Sequence, residues 1–139
     1  MATDPTWRGS WSGSEIREVK LSPQGQLQVM FSVVTAQSPS GVDGYLTSVE
    51  LTLHTSAPPT CIDDHGHTLA LSELLGAIAS GHARFSGSQR LQHHVDIPTC
   101  HAAATLSWQL ISGSSLEVQG THLRITLCDQ GQFHESFNC

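Results

Sequence analysis

The stretch Tyr45-Leu46-Thr47-Ser48-Val49-Glu50-Leu51-Thr52-Leu53-His54-Thr55 decides how the chain is read. Tyr45, Thr47, Val49, Leu51 and Leu53 fall on one side, and Leu46, Ser48, Glu50, Thr52 and His54 on the other. A repeat of two is that of a pleated strand, whose successive side chains leave opposite faces. Working outward, residues 27–36 alternate in the same way, with Leu27, Val29, Phe31 and Val33 against Gln28, Met30, Ser32 and Val34. Residues 15–21 precede them across Ser22-Pro23-Gln24-Gly25-Gln26, a connector of hairpin length. Ser38-Pro39-Ser40-Gly41-Val42-Asp43-Gly44 separates the second run from the third. A meander of three neighbouring strands is the simplest topology.

Beyond Ala57-Pro58-Pro59 the period changes. Leu71, Leu74, Leu75 and Ile78 are spaced by three and four, which predicts one short helix over about residues 69–80, capped by Thr68 or Ser72 and ended by Gly81. Alternation returns in residues 91–97, with Leu91, His93, Val95 and Ile97 sharing a face, and in residues 104–111 around Leu106, Trp108 and Leu110. It continues in residues 116–127, where the apolar parity switches from Leu116 and Val118 to Leu123, Ile125 and Leu127. A bulge near Gly120 would absorb that switch. The expectation is an α+β domain, mainly antiparallel: a curved sheet, partial barrel or sandwich of five to seven strands, with the helix packed at one end. Residues 1–139 read as a single domain with tails at about 1–13 and 129–139, either flexible or docked through Trp7, Trp11, Phe133 and Phe137.

Composition narrows the function classes. Six Lys and Arg against twelve acids give a net charge of −6, and the basic residues are scattered. Nucleic acid and anionic membranes both demand a basic stripe, so neither is an expected partner. No stretch approaches the length of a membrane span and residues 1–11 carry no apolar leader, which predicts a cytoplasmic protein. There Cys61, Cys100, Cys128 and Cys139 would be reduced.

Nine histidines are the unusual count. Cys61, His65 and His67 form a Cys-x-x-x-His-x-His loop able to offer three zinc ligands, although the spacing matches no established finger. Asp63 and Asp64 beside His65 would serve as acid and base, and Cys100 beside His101 as a nucleophile pair, were their geometry right. Gly-x-Ser-x-Gly, His-Glu-x-x-His and a phosphate-binding glycine loop are all missing from the sequence, so no catalytic residue is assigned. His93 on an apolar face needs a hydrogen bond or a solvent-lined pocket, and Trp108 is a candidate to line the same pocket.

The first expectation is therefore a non-enzymatic binding or regulatory module without a cofactor, engaging a protein or small ligand through an edge strand or sheet face. A metal-binding protein or metal-dependent enzyme built on Cys61, His65 and His67 is the second, and a structural component of a larger assembly the third. A lone helix cannot cover such a sheet, so a homodimer is a further expectation.

Overall fold

A computed structural model describes residues 6–136. It contains nine antiparallel strands: β1 Trp7–Leu21, β2 Gln26–Gln37, β3 Asp43–Thr55, β4 Thr60–Ile62, β5 Gly76–Phe85, β6 His94–Ile97, β7 Thr99–Leu110, β8 Ser115–Leu127 and β9 Phe133–Glu135. The meander β1-β2-β3 pairs through β8 to β7 and β5, and β5 returns to β1. Six strands thus form a closed barrel. The short strands extend its wall: β6 pairs with β1 at residues 7–10, β4 with β8 at residues 115–117, and β9 with β3 at residues 44–46.

Two expectations are corrected. The protein is nearly all β, and the only helical turn among the described residues is the 3₁₀ turn Leu71–Glu73. The spacing of Leu71, Leu74, Leu75 and Ile78 misled because the four residues do not share a helical face. Leu74 is buried behind the turn, Leu75 is 47% exposed, and Ile78 lies in β5 opposite Leu110. Gly76, at φ +111°, opens that strand in a backbone conformation that ends any helix, and the long-range pairing outweighs local preference. Gly81, read as a helix cap, lies in mid-strand. Next, the sheet is closed, not partial, so its apolar face is covered by its own far wall. Within the stretch read as an N-terminal tail, β1 begins at Trp7, and Trp11 is buried with its indole Nε1 donating to the Gln92 carbonyl at 3.2 Å. At the other end β9 pairs with β3 and Phe133 packs against the core, whereas Phe137 and Cys139 lie outside the described residues.

Inward alternation is broken at two matched levels. In β2 the buried set runs Leu27, Val29, Phe31 and then Val34, Ala36; in β3 it runs Gly44, Leu46 and then Val49, Leu51, Leu53. Both switches flank Ser32 and Ser48, which the constant register places opposite each other. Ser48 makes its switch through a left-handed φ of 55°. On the other wall β8 switches at His122, φ 56°, where its register with β3 slips by one residue. The bulge thus falls two residues beyond Gly120. Each switch bends a strand, which a small closed barrel requires.

The interior is solid. Phe31, Leu51, Trp108 and Ile125 all face it, each at most 2% exposed. Trp108 meets Trp11 at 5.5 Å between ring centroids and the edge of Phe31 at 5.7 Å, separations at which aromatic pairs add to their burial. The Trp108 Nε1 has no hydrogen-bond partner among the described residues. Trp108→Ala is expected to cost about 3–5 kcal/mol, and Trp108→Phe only about 1–2 kcal/mol, because Phe keeps most of the ring and removes the unpartnered N–H. Urea unfolding of the two variants measures both.

Candidate functional site

Inside the barrel, the space beside Trp11, Ser14, Phe31 and Ile125 amounts to about 10 Å³. That is too little for more than a water molecule, and the larger depressions lie on the outer wall. The outward residues of β5, β7 and β8 form a regular polar array there. Cross-strand pairing sets Ser80, Gln109 and Ser115 in one row; His82, Ser107, Glu117 and the Thr60 of β4 in the next; and Arg84, Thr105 and Gln119 in the third. Three adjoining depressions of about 340, 370 and 400 Å³ follow these rows and merge into one shallow trough. Ala57 and Pro58 form part of its rim, and His93 stands on the other side.

Local geometry explains why the trough lies where it does. Gly81 brings the β5 backbone down onto the core, since a Cβ there would come within 2.9 Å of both Trp108 Cδ1 and Trp11 Cβ. The buried Trp108 is consequently the trough's floor and not a solvent-lined residue. His93 is exposed, just ahead of β6, and its Nδ1 lies 3.2 Å from the Gly81 carbonyl oxygen. Its ring meets that of His82 edge-on, at 6.2 Å between centroids. Among the described residues, the side chains of Arg84, Thr105, Ser107, Gln109, Glu117 and Gln119 make no hydrogen bond or ion pair with other side chains. Their donors and acceptors are open to a partner. The outward parity opposite Leu106, Trp108 and Leu110 was the sequence signal for this array; reading residues 69–80 as a helix hid the β5 contribution.

The candidate zinc residues are arranged otherwise. Cys61 in β4 is buried, and burial pushes its thiol pKa up. His65 and His67 are exposed on the following loop, with ring centroids 6.4 Å apart. Among the described residues no three His, Cys, Asp or Glu side chains come close enough together to hold a metal ion. The loop is organised by Asp63 instead. Its Oδ1 accepts from the backbone N–H groups of His65 and His67, both at 2.9 Å, and its N–H donates to the His67 carbonyl at 2.8 Å. Asp64 approaches His65 Nε2 only to 3.7 Å, at the surface.

Cys100 is exposed, while the neighbouring His101 is half-buried, stacked on Phe85 at 3.9 Å and within 3.5 Å of the Thr99 hydroxyl. That imidazole is committed to Phe85 rather than to the thiol. Cys128 is half-buried, and burial together with Glu50 and Asp129 raises its thiol pKa, against the opposing pull of Arg17. Cys61, Cys100 and Cys128 are free thiols. No helix among the described residues is long and apolar enough to cross a membrane.

Comparison with protein-family models, curated proteins and solved structures gives no match.

The backbone N–H of His67 lowers the Asp63 carboxyl pKa, assisted by the N–H of His65 and by the two imidazoles. Since the folded value lies below the unfolded one, Asp63 supports the loop fully above the ordinary carboxylate range. That support is lost as pH falls through the lowered value. In the native chain the His65 and His67 amide resonances are expected to move together on acidification, and in Asp63→Ala this step is absent, as proton NMR over the acid range would show.

Proposed function

We propose that this chain is a non-enzymatic binding module that engages a protein partner across the outer face of β5, β7 and β8. The observation that carries the reading is the ten-residue polar array in one open trough, rich in unengaged hydroxyl, amide, imidazole and guanidinium groups. An enclosed pocket would suit a small molecule, which specific sites bury by roughly 70–90%. A shallow trough spanning several strands suits a protein surface, for which a stable contact covers roughly 800 Å² per partner. Arg84 and Glu117 supply one charge of each sign, so orientation and register of the partner are selected by charge and the rest by hydrogen bonding.

Ser107 sits in the middle row, with His82 and Glu117 as cross-strand partners. Replacing it by arginine places a long charged side chain across the trough without touching the core. Gln24, at the exposed tip of the β1–β2 turn, provides the control. Affinity capture from the native source is expected to lose its specific partner with Ser107→Arg and to retain it with Gln24→Arg, both variants melting as the native chain does. Equal retention by the two variants sinks this assignment.

A further inference from the structure

A second hollow lies on a different part of the wall, across β6, β1, β2 and β3, with a volume of about 500 Å³. The strand register builds it from two rows. His94, Ser10 and Thr35 are cross-strand neighbours, and so are Arg8, Gln37 and Asp43. All six line the hollow. Asp96 is the partner of Arg8 on the β6 side.

We infer that this hollow binds an oxyanion, a carboxylate or a phosphate, held by the Arg8 guanidinium with the Ser10 and Thr35 hydroxyls and the His94 imidazole around it. Arg8 is exposed and forms no ion pair among the described residues, although Asp96 is beside it in register. The guanidinium offers a planar fork of donors that matches two anion oxygens. The hydroxyls of Ser10 and Thr35 have no side-chain or backbone partner among the described residues, since the hydrogen bonds of this segment run through the Ser10 carbonyl, the Thr35 N–H and the Ser14 hydroxyl. Asp43 forms no ion pair with Arg8 among the described residues, and its Oδ1 accepts from Gln37 Nε2 at 3.3 Å.

An independent consequence connects Arg8 to His94. Burial, then the positive charge of Arg8, then His93, hold the His94 imidazole pKa below its ordinary value. An anion seated on Arg8 cancels that charge and raises the proton affinity of His94, so anion binding strengthens as pH falls. The other ionisable groups framing the hollow are Asp96 on β6, Asp43 on β3, and His134 and Glu135 on β9, with none on β2.

The test follows the His94 ring resonances by NMR while phosphate, acetate or chloride is added at constant ionic strength. Saturable shifts with phosphate or acetate, an upward move of the His94 titration, and at least about tenfold weaker binding in Arg8→Gln are expected. Asp96→Asn, which removes the competing carboxylate, should tighten binding by a few-fold. The stronger of the two anions identifies whether the ligand is phosphate-like or carboxylate-like. Equal shifts with chloride, the absence of saturation, or unchanged binding in Arg8→Gln at native melting temperature overturns the site. Because no trough residue is involved, this outcome is independent of the protein partner assigned to β5, β7 and β8.

Discussion

The meeting of Trp11, Phe31 and Trp108 in the middle of the barrel is the contact on which the rest depends. A six-stranded barrel is narrow, so its strands close only if large side chains fill the axis. Here Trp11 and Phe31 come from the adjacent strands β1 and β2, and Trp108 reaches them from β7, which pairs with neither. Large aromatic surfaces dominate the energetics of such cores. Because the rings leave almost no free interior space among the described residues, closure also decides where hollows can form: on the outside of the staves.

That placement is orderly because register is orderly. After one slip between Ile78 and Ser80, β5 pairs with β7 in constant register from Ser80 to Phe85, and β7 with β8 throughout, which sets the outward residues in straight rows. The apolar and polar sets are two sides of one alternation: Leu106, Trp108 and Leu110 build the core, while Thr105, Ser107 and Gln109 build the trough. The hollow around Arg8 arises in the same way from β6, β1, β2 and β3. Two separate polar hollows on the outer wall are thus a direct product of a solid barrel.

Much of this was legible in the sequence, and the failures have physical causes. The alternation of residues 27–36, 45–55, 104–111 and 116–127 marks strands, and Phe31, Leu51, Trp108 and Ile125 do share the interior. The inward side was misjudged past Phe31 and before Val49. Val33 and Val34, or Tyr45 and Leu46, are apolar pairs, so neither member announces which one turns inward after a bulge. Closure was invisible because pairing of β3 with β8, or β1 with β5, joins residues far apart along the chain. The helix was misread because Leu74 and Ile78 are buried through different elements. Cys61, His65 and His67 are close in sequence, but a strand end and a polar turn send them in different directions.

The seams of the barrel are unequal. Eleven residue pairs bind β2 to β3 and ten bind β7 to β8, but the ladder between β1 and β5 consists of Glu15 with Ala77 and Ile16 with Gly76. Beyond those two pairs the gap is spanned by residues 92–97, which ladder with β1 through β6 and join β5 through the Ala83–Gln92 bridge. Local opening follows the line of fewest ladder bonds. The wall is therefore closed most thinly between β1 and β5, where a transient breach has the fewest ladder bonds to break while the β2-β3-β8-β7 wall stays joined.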